Sequence, residues 1–143
     1  MAKLRPILLL GLVSIDQLLK LWASHIVGGS LALTPWLRIW YVRNDRGWLA
    51  FLNPSFRPSL MLLFSLSVLV LSYVLFKRAG RSLPLAGVLI WAGTLGNALD
   101  WLFFAYVRDF IQLPGMPVFN LADTYLIAGL LSAILYWIRS EST

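Results

Sequence analysis

The amino-acid sequence predicts an all-α integral membrane protein, with four transmembrane helices and a small extramembrane β-hairpin or sheet between helices 1 and 2. Of its 143 residues, 59% are hydrophobic and only 13% are charged. A soluble domain usually carries about 25% charged residues. Four long apolar runs also divide the chain, each near the roughly 20 residues needed to cross a hydrocarbon core. We therefore expect one membrane-embedded domain over residues 1–143.

The four predicted spans are bounded by basic or chain-breaking residues. The first follows a basic start, and the second begins after Pro58 and ends at the basic sequence KRAGR. The first run resembles a cleavable signal peptide, but Asp16, Gln17 and Lys20 interrupt it, which favours a retained helix. The predicted spans are residues 6–27, 59–76, 83–106 and 120–138.

The positions of the basic residues indicate the orientation of the chain. The dense KRAGR turn and the basic N-terminus favour both termini in the cytoplasm, although the Lys and Arg counts on the two sides are nearly equal. The net charge of +6 is interpreted as topology and headgroup contact. No nucleic-acid partner is expected, because no basic helix or stripe lies outside the apolar runs.

The segment between the first two spans, residues 31–56, predicts a small hairpin. Two β-prone aromatic runs flank the turn-type cluster Asn44-Asp45-Arg46-Gly47, which places the turn there. Tryptophans interleaved with arginines suit a sheet at the level of the lipid headgroups. Two roles stay open for it: an aromatic belt that only anchors the protein, or a cradle that holds a lipid-linked substrate.

Two aspartates mark the ends of the segment between spans three and four. Asp109 follows one span and Asp123 opens the next, so both must lie on the same side of the membrane, and Pro114, Gly115 and Pro117 can turn the chain between them. Two such carboxyl groups in a partly desolvated site share one proton, so one can act as a base on water while the other polarises a carbonyl. The alternative is that the first is a solvated loop residue and the second caps a helix.

A second set of polar residues lies deeper in the spans. Asp16 and Lys20 are spaced as a favourable helical ion pair, and Asn97 and Asp100 fall in the same layer of span three. A continuous helix would put Asp100 about 13 Å inward of Asp109. The preferred interpretation is a layer that locks two helices together and preorganises the outer aspartates. A proton or ion relay in a small conducting subunit is the alternative.

Four motifs, in order along the chain, resemble those of a known family: DQLLK at 16–20, GTLGNALD at 93–100, VRDFI at 107–111 and FNLAD at 119–123. Together with the four spans, they resemble the lipoprotein signal peptidases (signal peptidase II), which are bacterial inner-membrane aspartic proteases. The resemblance implies cleavage of diacylglyceryl-modified prolipoproteins just before the lipidated cysteine, on the outer, periplasmic face of the membrane. It also implies no metal or organic cofactor, and inhibition by the cyclic peptide globomycin.

The resemblance also implies roles for individual residues. Asp109 is implied as catalytic and Asp123 as its partner, with Asn120 as a supporting amide. Further supporting or substrate-binding positions are implied at Asp16, Gln17, Lys20, Asn44, Gly47, Gly96, Asn97 and Asp100. With no cysteine and one histidine in the chain, neither a thiol nucleophile nor a His-rich zinc site is expected.

The sequence departs from the family pattern in two places. Trp101 stands where the family usually has an arginine, so Asp100 needs another partner, and Lys20 is the expected one. The family's compact Asn-x-Gly-x-Ala-Phe element is represented only by the wider NDRGWLAF at 44–51. These departures favour the remaining alternative, a catalytically silent relative that binds lipoproteins or lipid.

Overall fold

A computed structural model describes residues 4–25, 30–46, 51–78 and 84–141. Its described part contains four long helices and a three-stranded sheet, which confirms the predicted fold class. The helices are α1 (Leu4–Ser24), α2 (Arg57–Arg78), α3 (Leu85–Phe104) and α4 (Leu121–Glu141). The strands are β1 (Ser30–Thr34), β2 (Leu37–Asn44) and β3 (Val107–Gln112).

Helix α3 lies at the centre of the helical bundle. All four helices are long and apolar enough to cross a membrane, but 56% of the apolar window of α3 is buried, against 17% in each of the others. It packs against α1, α2 and α4. The outer helices leave many apolar side chains exposed. Such a surface suits the hydrocarbon core of a bilayer, whereas its exposure to water would be unfavourable.

Helices α3 and α4 approach closely because glycines face the partner helix. A methyl group added at Gly93 would overlap the carbonyl oxygen of Ala122. One added at Gly129 would lie 2.8 Å from the Ile90 backbone nitrogen. Small residues at a helix interface let two backbones come together within a membrane. This contact sets the position of α4, and therefore of Asp123 in its first turn.

The sheet is antiparallel with the order β1-β2-β3. The first two strands form a hairpin that turns at Pro35 and Trp36, where the Thr34 hydroxyl oxygen accepts a hydrogen bond from the Leu37 backbone N–H at 2.9 Å. The hairpin turn predicted at residues 44–47 is therefore wrong in position. The aromatic run before it is strand β2 itself, which ends at Asn44 and pairs with the preceding segment.

The sequence did not predict strand β3. Helix α3 ends at Phe104, and Ala105 adopts a left-handed conformation with φ of 60° that redirects the chain into the sheet. Asp109 then pairs opposite Val42 of β2. Because the helix stops short of Asp109, the continuous helix that the separation of about 13 Å assumed is not formed. The backbone N–H of Arg108, the residue before Asp109, instead donates to Asp100 Oδ2 at 2.9 Å.

The chain between β3 and α4 folds back sharply, as predicted. The Met116 N–H donates to the Leu113 carbonyl at 3.2 Å across a turn whose third residue, Gly115, has φ of +73°. The third residue of a type II turn has a positive φ, which is why glycine is favoured at that position. Phe119 then pairs with Ile111 through two hydrogen bonds of 2.7 and 3.0 Å. This bridge brings the residues that follow it back against β3.

The α3–α4 contact gives a stability prediction. Gly93→Ala should destabilise the protein by roughly 1–3 kcal/mol, because the added methyl group forces two backbones apart. Gly11→Ala is the matched control, since a methyl group there meets nothing within 4 Å. Thermal unfolding in detergent measures both variants. Equal melting temperatures for the two would contradict the tight packing described for α3 and α4.

Candidate active site

A cavity of about 490 Å³ lies between α2, α3 and α4, beneath the sheet. Its polar end is formed by Asn44, Asn97, Asp109 and Asp123. Its remaining lining is mostly apolar and comes from Met61, Phe64, Val68, Trp101, Val107 and Leu126, with Ser65 and Thr94 between them. The two aspartates that the sequence placed on one side of the membrane thus line one cavity. An apolar cleft with a few convergent polar groups is the usual form of a ligand site.

Asp109 is buried within β3, with 3% of its surface exposed, so it is not a solvated loop residue. Asn44 donates to one carboxylate oxygen at 2.9 Å and Asn120 donates to the other at 2.7 Å. Burial raises the pKa of Asp109 to about 6, and the nearby Asp123 carboxylate also raises it, whereas the two amide hydrogen bonds oppose the rise. Asp109 is therefore poised to exchange a proton near neutral pH.

Asp123 both caps α4 and lines the cavity, so the two interpretations of it are compatible. Its backbone N–H donates to Asn120 Oδ1 at 3.0 Å, and its Oδ2 accepts from the Asn120 backbone N–H at 3.1 Å. This reciprocal pair is a capping box at the helix N-terminus. The other carboxylate oxygen accepts from the Asn97 side chain at 2.7 Å. The cap thus fixes the direction in which the carboxyl group points.

Two asparagine side chains join the two aspartates. Lys20 Nζ donates to Asn97 Oδ1 at 3.0 Å, so the amide nitrogen of Asn97 must point at Asp123. Asn120 Oδ1 is taken by the cap, so its amide nitrogen points at Asp109 and also lies 3.1 Å from Asn97 Oδ1. Each amide is therefore oriented by a fixed partner on its oxygen side. Neutral donors hold both carboxyl groups, and among the described residues no cation forms a direct ion pair with either one, which leaves either group able to carry a proton.

A buried cluster of charges lies next to these amides and joins α1 to α3. Lys20 Nζ is 2.9 Å from Asp16 Oδ2 and 3.2 Å from Asp100 Oδ2, and all three side chains have no exposed surface. The expected Lys20–Asp100 contact is thus confirmed. Asp100 also has a second cationic partner, because Arg108 Nη2 lies 2.6 Å from Asp100 Oδ1. No pattern in the sequence indicated a role for Arg108 in the site.

The same cluster fastens the start of α4. Asp16 Oδ1 accepts from the Ala122 backbone N–H at 2.9 Å, which satisfies a donor that a helix N-terminus would otherwise leave free. Gln17 donates to the Gly96 carbonyl at 2.9 Å and to Asp16 at 3.1 Å. A methyl group added at Gly96 would lie 2.7 Å from Asp16 Oδ2, so this position needs glycine. The motifs on α1, α3 and α4 are thus in direct contact.

Some of the predicted positions are not brought to the site or cannot be placed. Gly47 and Ala50 lie outside the described residues. Phe51 is 80% exposed and does not line the cavity. Trp101, which departs from the family pattern, is 3% exposed and forms part of the cavity wall. Across the four described ranges, no three His, Cys, Asp or Glu side chains are grouped to hold a metal ion.

The buried cluster predicts a large effect of a single substitution. Lys20→Met should destabilise the protein by roughly 3–5 kcal/mol. It leaves two buried carboxylates, Asp16 and Asp100, with Arg108 as the one cation that remains in the cluster. Lys77→Met at the exposed end of α2 is the matched control. Thermal unfolding in detergent compares the two. Similar melting temperatures would show that the Lys20 ammonium group does not hold α1 against α3.

The chain is similar to known proteins over nearly its whole length. The family model described as signal peptidase (SPase) II matches residues 8–139. The lipoprotein signal peptidase of Bartonella henselae is 35% identical, over 96% of this chain and 94% of that protein. The lipoprotein signal peptidase of Caldicellulosiruptor bescii is 32% identical, over 87% of this chain and 84% of that protein.

Solved structures share the fold. A bacterial membrane enzyme whose structure was determined by the in meso method at 2.3 Å resolution superposes with a TM-score of 0.85, at 24% identity, over 98% of this chain and 90% of that one. A second, determined at 1.9 Å resolution, superposes with a TM-score of 0.77, also at 24% identity. The structural likeness supports the fold, and the sequence matches carry the assignment. The chain belongs to the signal peptidase II family.

Proposed function

We propose that this multi-pass membrane protein is an aspartic endopeptidase that removes the signal peptide of diacylglyceryl-modified prolipoproteins, cutting just before the lipidated cysteine. The observation that carries the proposal is the pair Asp109 and Asp123, which line one cavity and are held by neutral amide donors. Curated relatives described as lipoprotein signal peptidases support the substrate class. The raised pKa of Asp109, to about 6, suits a group that exchanges a proton near neutral pH.

The proposed reaction uses the two carboxyl groups as a pair that shares one proton. The ionised partner takes a proton from a water molecule, whose oxygen attacks the carbonyl carbon of the scissile peptide bond. The protonated partner gives its proton to the carbonyl oxygen, which yields a neutral tetrahedral intermediate. The first carboxyl group then returns its proton to the amide nitrogen as the C–N bond breaks, and the intermediate gives a hydroxyl proton back to the second.

The cavity walls suit a substrate that is partly embedded in lipid. Met61, Phe64 and Val68 of α2 and Leu126 of α4 extend the site away from the carboxyl groups into the apolar layer. A signal peptide or acyl chain that moves from lipid into this part of the cavity exchanges one apolar environment for another, so close packing against these side chains, and not removal from water, would hold it there. The peptide bond to be cut would then lie at the polar end, beside Asp109.

We place the site on the outer face of the inner membrane, with both termini in the cytoplasm. The basic residues of the chain ends and of the KRAGR turn support that orientation. The sheet carries exposed apolar and aromatic side chains, among them Leu31, Leu33, Trp36 and Trp40. Such residues suit the headgroup region, where an aromatic ring can keep one edge wet.

Replacing either aspartate by asparagine should greatly slow cleavage. Asp109→Asn and Asp123→Asn each remove one ionisable group and keep the side-chain shape, so the rate should fall by roughly 10²- to 10⁴-fold. The assay follows cleavage of a purified diacylglyceryl-modified prolipoprotein in detergent or bicelles. Asp45→Asn is the control, because its carboxylate is 65% exposed and pairs only loosely with Arg46, at 4.0 Å.

The outcomes of this assay separate the candidate functions. Cleavage at a rate close to that of the parent protein in either site variant would refute the aspartate pair. No cleavage by the parent protein would favour a silent relative that binds lipoprotein or lipid. Proton or ion flux in proteoliposomes that depends on Asp16 and Asp100, and not on the outer pair, would favour a conducting subunit. Globomycin should block cleavage by the parent protein.

The pH dependence of cleavage provides an independent test. If one carboxyl group must be protonated, kcat/KM should fall as the pH rises through the pKa of Asp109, about 6. The Asn44 hydrogen bond stabilises the ionised form of Asp109 and so lowers that pKa. Asn44→Ala should therefore move the alkaline limb of the profile to higher pH.

The matched control for the pH profile is Asn53→Ala. Asn53 accepts a hydrogen bond from the Ser55 backbone N–H at 3.0 Å and lies on the surface, away from the cavity. Its removal should leave the profile in place. An alkaline limb that stays unmoved in Asn44→Ala, or moves to lower pH, would show that Asp109 does not set the active protonation state.

A further inference from the structure

Arg108 is buried beside the candidate active site, although it carries a full charge. Only 6% of its surface is exposed. Its Nε and Nη2 atoms donate to Asp100 Oδ1 at 3.1 and 2.6 Å, and Nη2 also donates to Gln17 Oε1 at 2.7 Å. The guanidinium carbon lies 4.5 Å from the centre of the Phe104 ring. One side chain therefore ties the first residues of β3 to both α1 and α3.

The backbone of Arg108 is held by the same carboxylate as its side chain. Its N–H donates to Asp100 Oδ2 at 2.9 Å, while its guanidinium group occupies Oδ1. Two attachments to one carboxylate, one through the backbone and one through the side chain, restrict the rotation of that residue about the strand axis. Charge-assisted hydrogen bonds of this length are among the strong ones in proteins. Asp100 thus sets the start of β3 in one orientation.

The orientation of Arg108 determines that of the next residue. Successive side chains of a strand point to opposite faces. Val107 and Asp109 both line the cavity, and Arg108 between them points into the charge cluster. A rotation or shift of β3 at Arg108 would carry the Asp109 carboxylate away from the amide groups of Asn44 and Asn120.

We infer that Arg108 is a positioning residue for Asp109, which acts by clamping the start of β3 to Asp100 and Gln17. The inference rests on the proposed function only where activity is the readout. Because the guanidinium group does not line the cavity, its loss should reduce kcat and leave KM nearly unchanged. Misplacement of a catalytic group by about 1 Å can reduce the rate by roughly 100-fold.

The chemistry of the clamp favours arginine at this position. The planar guanidinium group reaches Asp100 and Gln17 at once, whereas an ammonium group offers a single point of charge on a flexible stem. The residue after Asp100 is Trp101, which lies in the cavity wall and carries no charge. The guanidinium group that pairs with Asp100 therefore comes from β3. Arg108→Lys should therefore keep the charge balance of the cluster and still lose the orientation of β3.

The test uses the full-length protein and a charge-balanced double variant. Arg108→Met alone leaves one buried carboxylate in excess and should lower both the melting temperature and kcat. Arg108→Met combined with Asp100→Asn removes that excess charge, so it should recover much of the melting temperature. Its kcat should stay about 10- to 100-fold low, with KM within about twofold of the parent value. Arg38→Met, at an exposed position of β2, should change neither quantity.

Hydrogen exchange provides a readout that does not depend on activity. The backbone amides of residues 107–112 should exchange faster in Arg108→Met, in Arg108→Lys and in the double variant than in Arg38→Met. If the double variant regains kcat together with its melting temperature, Arg108 only balances charge and the inference is overturned. If the parent protein cleaves nothing, the proposed function fails, and the exchange rates still decide the role of Arg108: unchanged exchange overturns it.

Discussion

The ammonium group of Lys20 is the contact on which the rest of the site depends. It has no exposed surface and meets Asp16 on its own helix and Asp100, Asn97 and the Gly96 carbonyl on α3. A buried charge is costly unless it is paired with opposite charges and its hydrogen bonds are satisfied. Asp16 and Asp100 then fasten the starts of α4 and β3 through backbone N–H groups. These two elements carry the candidate catalytic aspartates.

The charges and the candidate catalytic groups are adjacent but kept separate. Lys20 touches Asn97, and Asn97 touches Asp123, so the cation acts on the carboxyl group through a neutral amide. A direct ion pair would hold that carboxylate permanently ionised. The intervening amide supplies orientation and leaves the proton free to move. A membrane protease of the signal peptidase II family can in this way combine a rigid support with a site that exchanges protons.

Features that depend on the apolar pattern and on counting spans could be predicted from the sequence. The four helices follow from runs long enough to cross a bilayer, and the common side of Asp109 and Asp123 follows from the number of spans between them. Strand β3 could not be found this way, because it is six residues long and pairs with a strand more than sixty residues earlier. The role of Arg108 depends on that pairing, so no local pattern indicates it.

The arrangement of α2 bears on how a substrate reaches the site. One buried cluster joins Phe76 of α2, Ile90 of α3 and Ala133 of α4, whereas towards the sheet the cavity separates α2 from α4. If the proposed function holds, a gap that is closed at one end by this cluster would let a lipid-anchored chain enter sideways from the bilayer. Such a chain finds its partner by diffusion in two dimensions and never has to leave the lipid. The bilayer itself would then act as the first filter, because it concentrates lipid-anchored chains beside the gap between α2 and α4.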